Sequence, residues 1–334
     1  MSTGTGLSMQ LGIATESSYG TYAEPTRFLR IDAGGESVQE VVEPVVAELL
    51  GGPTIWRRTV DVRTYARGAA GDIPFVALTR GFGIVLRHAL GTVTSDQPDP
   101  AERPNEWRHV FAPSDDGCRG LSATVQIGRP RRDDRVVVPY TYLGGKVTSF
   151  ELSCSSGEPL RMSTSWDFQS VDLSQPLASP TWIDGVPFIF ADLSVMVNGT
   201  AVRVRQASIS MDWSLATDDW LFGATRDEPV LSDRPTIEGS LSTSYTSDVE
   251  ALLTAWRDGA TVGPLVLAAE YGEIDAGQAN PYRLIVEVPS LQIRGEPPQV
   301  SGAGPIELGL SFEALATESY APLTITYHTT EAMP

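Results

Sequence analysis

Two stretches far apart in the chain, TRGFGIVLRHALG from Thr79 and SDVEALLTAWRDG from Ser247, share one build. In the later stretch Val249, Leu252, Leu253 and Trp256 fall on one helical face, and Gly259 supplies a left-handed stop. Ser247 is placed to cap its start, with Glu250 three residues on to complete a capping box. In the earlier stretch Phe82, Val85, Leu86 and Leu90 form the stripe, Thr79 is the cap and Gly91 the stop. Gly81 and Gly83 make it the weaker helix. The spacing predicts short helices over 79–90 and 247–258 in a chain that otherwise alternates like strand.

The likeness extends beyond the helices, and a repeated order of segments restricts a fold more than any single motif does. RTVDVRTYA precedes the first helix and PTIEGSLSTSY the second, which sets Thr59, Val60 and Asp61 over Thr236, Ile237 and Glu238. The first copy carries an extra RGAAGDIP, expected in the connection from strand to helix. After the helices, LSATVQIGR from Leu121 parallels LVLAAEYGE from Leu265, and each leads through a polar loop to Pro-Tyr, at Pro139-Tyr140 and Pro281-Tyr282. VTSFEL from Val147 then lies over VPSLQI from Val288. In the last strand Leu160, Met162, Thr164 and Trp166 match Ile306, Leu308, Leu310 and Phe312, so the large side chains share a face.

At the front of each copy, FLRIDAGGESVQEV and VRVRQASISMDWSL lead into long segments that contain ELLGG and WLFGA. Ser and Pro break the pattern around Gln175 to Pro180, which predicts modules at residues 1–175 and 176–334. Asn198-Gly199 predicts a type I′ hairpin turn at the opening of the second.

The remaining composition narrows the function class. No apolar run approaches the ~20 residues of a membrane span, and the N-terminus lacks a signal-peptide pattern, so a soluble protein made in the cytoplasm is expected. The two cysteines, Cys118 and Cys154, make no disulfide scaffold, and no Cys/His spacing suits a metal. A net charge of −18 opposes ordinary nucleic-acid binding, which needs cations to replace phosphate counterions, while also serving solubility. His88, His109 and His328 lie in separate elements without a Ser or Cys partner in a recognisable setting. GFG at Gly81 to Gly83 lacks the remaining glycine and lysine of a phosphate loop. Asp115/Asp116, Asp133/Asp134 and Asp218/Asp219 lack the alternating spacing of a calcium loop and read as turn tips. Asn198-Gly199-Thr200 fits a glycosylation sequon, but the hairpin turn accounts for it better. No catalytic, cofactor or metal residue emerges, and the sequence points to an assembly or binding protein.

The opening LGIATESSYGTYAEPTRFLRIDAGGES, with Glu16, Tyr19, Gly20, Thr21, Pro25, Thr26 and Phe28, resembles the start of the major tail tube proteins of long-tailed, siphovirus-type bacteriophages. RGFGIVLRHALG, WRHVFAP at Trp107 to Pro113, GGKVTSFELSCSSGEPLRMS and PFIFADLSVMVNGTAVRVRQASISMDWSL carry the same resemblance through nearly the whole chain. It implies a mainly β protein made of two tandem tail-tube-type β-sandwich or barrel modules, each with one flanking α-helix. Copies would join by their inner strands into stacked rings, forming the hollow tube that conducts DNA from capsid to host. The implied setting is the virion tail, assembled in the host cytoplasm. The implied partners are other copies, the tape measure, tail terminator and distal tail proteins, and DNA in transient passage, with no membrane and no cofactor.

Strand alternation then nominates surfaces. Glu151, Ser153, Ser163, Ser165 and Asp167, with Glu307, Ser311 and Glu313, face away from the apolar side of their strands and suit a smooth negative lumen or an ordinary solvated face. The long loops Glu43 to Arg58 and Ala216 to Arg234 carry Leu49, Leu50, Ile55 and Trp56, and Trp220, Leu221 and Phe222, as candidate contacts between rings. Such loops could equally fold back on their own module. Tubes of this kind are usually closed by six modules, so a two-module chain is expected to close a ring as a trimer, with a homohexamer as the alternative. Two other readings are a tube protein of a bacterial injection system and a standalone two-module β-sandwich binding protein. The second would use Trp56, Trp107, Trp182 and Trp220 as aromatic platforms.

Overall fold

Residues that alternate large apolar with small polar side chains can bury one face as strands and leave the other wet, and that state dominates here. The computed structural model describes residues 4–49, 56–223, 225–295, 297–300 and 303–334. The first half forms β1 (Gln10–Thr15), β2 (Arg27–Leu29), β3 (Gln39–Val46), β4 (Val62–Val76) and helix α1 (Gly83–Leu90). Next come β5 (Gly91–Asp96), β6 (Trp107–Pro113), β7 (Ala123–Pro130), β8 (Val137–Ser155), β9 (Arg161–Phe168) and β10 (Ser170–Asp172). The second half opens with β11 (Leu193–Val197), β12 (Thr200–Ala201) and β13 (Val204–Asp212). Its long loop holds four two-residue strands, β14 (Leu215–Ala216), β15 (Trp220–Leu221), β16 (Thr225–Arg226) and β17 (Val230–Leu231). There follow β18 (Thr236–Ser244), α2 (Glu250–Asp258), β19 (Thr261–Val262) and β20 (Leu265–Tyr271). The chain closes with β21 (Tyr282–Val288), β22 (Leu291–Gly295), β23 (Glu307–Ala314) and β24 (Thr324–Thr329).

One wide antiparallel sheet runs β3-β4-β9-β8-β13-β18-β23-β22-β19. The first part of β8 also pairs with β7, which continues to β1 and β2. A third sheet, β12-β11-β20-β21-β24-β6-β5, takes its last two strands from the first half of the chain. The apolar faces meet in one continuous interior to which both halves contribute. The result is a mainly β, sandwich-type protein, with α1 packed on β5, β6 and β8, and α2 on β19 and β22.

The handover of β8 from one sheet to the other occurs at Gly144, whose φ of 65° favours glycine. The buried Glu16 fixes this bend. Its carboxylate accepts the Gly144 and Gly20 amides at 2.9 Å each, the Ser122 hydroxyl at 2.6 Å and the Thr124 hydroxyl at 2.9 Å. Trp213 links the halves elsewhere: its indole donates 2.8 Å to the Ala89 carbonyl, one of the last-turn carbonyls of α1 that has no partner within the helix.

Several local expectations are corrected. Thr79 does not cap α1; Phe82 holds that position, and the Thr79 hydroxyl accepts the Val186 amide at 2.9 Å. Ser247 lies in a 3₁₀ turn before α2 and forms no capping box, because the turn moves the helix start to Glu250. Gly259 does end α2 in the left-handed region, at φ 64°. RGAAGDIP is not a strand-to-helix connection: it lies inside β4, where Ala69 to Val76 pairs with β9. Thr59 to Asp61 form a 3₁₀ turn, so the pairing, not the Thr-Val-Asp match, gives the equivalence of the strands before the helices. Gly71 faces Trp166 across β4 and β9, as Gly239 faces Phe312 across β18 and β23. A side chain at Gly239 would collide with the Phe312 ring. By the same pairing Val147, opposite Trp166, corresponds to Ile293, opposite Phe312, rather than to Val288. The Pro-Tyr match fits the pairing, since Ile127 faces Tyr140 as Tyr271 faces Tyr282. The Asn198-Gly199 turn has φ of 51° and 74°, as a type I′ hairpin requires.

Candidate functional site

The wide sheet presents one continuous polar face. Across it Ser163, Glu151, Ser210, Glu238 and Glu313 stand opposite one another on successive strands, so the row crosses from the first half to the second without a break. Beside it run Asp72, Ser165, Ser149 and Asp212. On the other side run Ser153, Ser208, Ser240 and Ser311. The opposite side chains, among them Leu152, Met162, Trp166, Ile209, Leu310 and Phe312, are buried. Small hydroxyls and carboxylates give this face low relief and negative charge.

Two features of the face differ from the sequence reading. Glu307 pairs with Arg205 at 2.5 Å and Glu313 pairs with Arg294, so basic side chains are interleaved with the acids. Asp167 is not open to solvent: Arg226 descends on it from the second long loop, with nitrogen-to-oxygen distances of 2.6 and 3.1 Å. The two side chains are only 13% and 3% exposed. Burial raises the Asp167 carboxyl above its ordinary range, and the Arg226 charge pulls it partly back.

The second loop, residues 216–234, is folded down over the first half. The Arg226 guanidinium also donates 2.8 Å to the Thr217 carbonyl and lies 5.5 Å from the Trp220 ring centre, while its own carbonyl accepts the Gln169 amide at 2.8 Å. Trp220 meets Tyr65 edge-on at 6.3 Å, and Asp218 pairs with Arg67. Glu228 accepts the Gly120 amide at 2.7 Å and pairs with Lys146, whose ammonium is buried and donates 2.6 Å to the Cys118 carbonyl. At the tip Leu221 and Phe222 are exposed, as is Val230 farther along the loop.

The first loop behaves differently. β3 and the start of β4 continue as a two-stranded ribbon in which Val42 and Val45 are exposed, as is Val60 in the 3₁₀ turn before β4. Leu49 and Trp56 are exposed beyond it, at 66% and 77%, while Leu50 and Ile55 lie outside the described residues.

Sequence reasoning missed Arg226, Glu228 and Lys146. A signal was present: Lys146 is the single lysine among 24 basic residues, and a chain that otherwise uses arginine throughout keeps it in GGKV at the bend of β8.

The titratable groups serve packing. His88 is buried on α1 against the Thr15 hydroxyl at 3.1 Å, and burial pushes it down to about 3. His109 and His328 sit on adjacent strands, His109 against Ser95 and the Glu331 carbonyl, His328 donating 2.7 Å to Glu106. Burial lowers both. Cys118 and Cys154 are buried free thiols, and burial raises both, Cys118 to about 11. Among the described residues no cluster of His, Cys, Asp or Glu is arranged to hold a metal, and no helix is long and apolar enough to cross a membrane. Of the tryptophans, Trp182 packs edge-on to Phe28 at 6.2 Å and Trp220 edge-on to Tyr65 at 6.3 Å.

Comparison with curated proteins finds no match. A family model described as phage tail tube protein matches residues 6–314, nearly the whole chain. A wide sheet with a low-relief polar face, free edge strands and protruding apolar segments suits a subunit of such a tube, a structural component of the virion tail that assembles with other copies of itself and with other tail proteins. The chain belongs to the phage tail tube protein family.

Proposed function

We propose that this chain forms the tube of a long, siphovirus-type tail from rings of three copies, each contributing two tail-tube modules, residues 1–175 and 176–334. The observation that carries this reading is the joint between β8 and β13. Ser149 to Ser155 pair with Gln206 to Asp212, so the sheet of the first half continues edge to edge into that of the second. The strand order β3-β4-β9-β8 is followed by β13-β18-β23-β22 with the same pairing pattern. The sheet then stops at β3 on one side and at β19 and β22 on the other. Strands that end a sheet in this way are hazards for a monomer and joints for an assembly. A head-to-tail contact that repeats around an axis closes a ring. Six modules from three chains would place the polar face around the bore.

In that setting the protein is a conduit, not a catalyst. Glu151, Ser163, Ser165, Ser210, Glu238 and Ser311 would present DNA with small or negative groups that do not hold phosphates. Leu221 and Phe222, at the tip of the second loop, are the residues we assign to contact between stacked rings. Cryo-electron microscopy of assembled tails tests the stoichiometry: three chains per ring are expected, and six identical chains would replace the trimer with a hexamer. Reversing Glu151, Glu238 and Glu313 to lysine together tests the bore. Tubes are expected to form while DNA release slows, and unchanged release would place the polar face elsewhere.

A further inference from the structure

The polar face is acidic in sum, yet arginines stand on it. The row Ser153, Ser208, Ser240 and Ser311 runs from Arg161, which faces Ser153, to Arg294, which faces Ser311. Arg205 stands at the opening of β13. Each of these arginines is held by carboxylates, although the side chains of Arg161, Arg205 and Arg294 are 42%, 53% and 57% exposed. Arg161 lies 2.9 Å from Asp32 and 2.7 Å from Glu158. Arg205 lies 2.5 Å from Glu307. Arg294 pairs with Glu313 and lies 3.8 Å from Glu238. At both ends of the serine row the carboxylates therefore outnumber the guanidinium they hold.

Two of these pairs occupy corresponding places. Gly71 faces Trp166 and Gly239 faces Phe312, and the pairing runs on without a break to Val76 opposite Arg161 and to Ser244 opposite Glu307. Arg161 in the first half therefore corresponds to Glu307 in the second. Their partners come from corresponding directions: Asp32 from the segment before β3, which pairs with β4, and Arg205 from the start of β13, which pairs with β18. One place thus holds an ion pair in both halves, with cation and anion exchanged. What the halves share there is a neutralised guanidinium, not the sign of either side chain.

We propose that Glu307, Glu313 and Glu158, with Asp32 and Glu238, mask the arginines of this face from DNA phosphates. The role is separate from that of Glu151, which stands between Ser163 and Ser210 and adds only negative charge. This rests on the bore reading above, and adds to it which carboxylates matter and why. A guanidinium offers a planar fork of donors that a phosphate can take up in two parallel hydrogen bonds. Exposed ion pairs are weak, so the mask does not work by holding the arginine tightly. It fills the fork with a carboxylate and sets a like charge before an approaching phosphate. An unmasked arginine would recur in every chain of every ring. DNA would meet it along the whole bore, and each phosphate contact formed would have to break again as the DNA advanced.

Two substitutions that change the charge of the face equally separate the roles. In assembled virions Glu307→Gln leaves Arg205 without its carboxylate, whereas Glu151→Gln removes a charge from between two serines. DNA release is expected to slow by about tenfold or more in Glu307→Gln, to stay within about twofold of normal in Glu151→Gln, and to recover when Arg205→Gln is added to Glu307→Gln. Equal rates in Glu307→Gln and Glu151→Gln, or a slowing that Arg205→Gln does not relieve, would overturn the masks. The bore reading would still stand if lysine at 151, 238 and 313 slows release. Normal release in all of these, the lysine reversal included, would overturn both. Glu238→Gln combined with Glu313→Gln, with and without Arg294→Gln, repeats the test at a second arginine, and the same outcomes decide it there if Glu307→Gln tails fail to assemble.

Discussion

The two long loops leave the wide sheet beside corresponding strands, yet one is locked down and the other stands out. The loop after β13 brings Arg226, Glu228 and Trp220 onto a surface already furnished with Asp167, Lys146 and Tyr65. The ribbon after β3 offers valines and leucine to water and holds its charges at the surface, as in Arg57–Glu48, where the side chains are 59% and 84% exposed. The difference teaches that these loops are not inherently flexible or rigid. What differs is the surface beneath each loop, and for the second loop that surface lies in the same chain.

The largest expected effect comes from cutting the buried pair. Arg226→Ala leaves Asp167 buried without its cation and should cost about 3–5 kcal/mol of subunit stability, whereas Arg57→Ala in the first loop should cost under about 1 kcal/mol. Urea unfolding of the two variants at unchanged slope measures both. Equal losses would abolish the contrast between the loops.

Much of the fold was legible because it rests on periodicity. The apolar stripes of α1 and α2, the alternation of β9 and β23, and the Asn198-Gly199 turn are local signals, and the structure has each of them. The helix starts were misread because a capping residue competes with other uses of its hydroxyl; Thr79 bonds to Val186, far away in sequence. RGAAGDIP was misread because Gly and Pro usually break strands, yet Pro74 sits within the pairing to β9, opposite Ser163. On the polar face, alternation identified the outward residues Glu151, Ser163 and Ser311. It could not tell that Asp167 would be covered, since Arg226 lies 59 residues away and only the folded loop brings them together. The third sheet was illegible for the same reason: β6 joins β24 through contacts no local pattern encodes.

Acid should separate the core from the loop clasp. His88, His109 and His328 are all held below their ordinary value by burial, so the unfolded chain takes up protons that the fold does not. Their stabilisation is complete above the unfolded value of about 6.5 and is lost as pH falls from there toward the folded values, at up to about 1.4 kcal/mol per pH unit for each histidine. Asp167 has the opposite sign, because its carboxyl is raised and its protonation favours the folded state. Stability measured from pH 7 to pH 4 should therefore fall less steeply in His88→Gln, by one histidine's share. In Arg226→Ala the slope should also become shallower, from a lower stability at pH 7, because without the Arg226 charge the buried Asp167 carboxyl rises further and takes up its proton in the folded state. A steeper slope in Arg226→Ala would mean that the loop lifts off and leaves Asp167 hydrated.

A smaller effect is readable at the single lysine. Lys146 is 1% exposed at its side chain and lies under Glu228, so an amine-acylating reagent should leave Lys146 of the native chain untouched. Glu228→Gln removes the ionic partner but keeps the shape of the loop. If opening of the loop is what exposes Lys146, acylation should quicken roughly tenfold, the rate equivalent of about 1.4 kcal/mol, with global stability lowered by no more than about that amount. Peptide mass spectrometry at a series of labelling times gives the rate. A rate unchanged by Glu228→Gln would show that Lys146 is reached only by global unfolding, making the second loop part of the core.

The smallest expected effect on the subunit is at the tip of the same loop. Phe222 lies beyond β15, fully in water, and touches nothing whose loss would weaken the fold. Surface substitutions of this kind change stability by no more than about 0.5 kcal/mol, so Phe222→Ser should leave the unfolding midpoint in place. An exposed phenylalanine on an otherwise anchored loop invites aggregation, which an assembly contact would offset. Tube length in Phe222→Ser, measured by electron microscopy against the unaltered chain, separates two roles for the loop. Shorter tubes with a normal subunit would mean that the anchored loop serves to hold its tip against the next ring. Full-length tubes would confine the loop to its clasp on the first half and leave stacking to the β3–β4 ribbon.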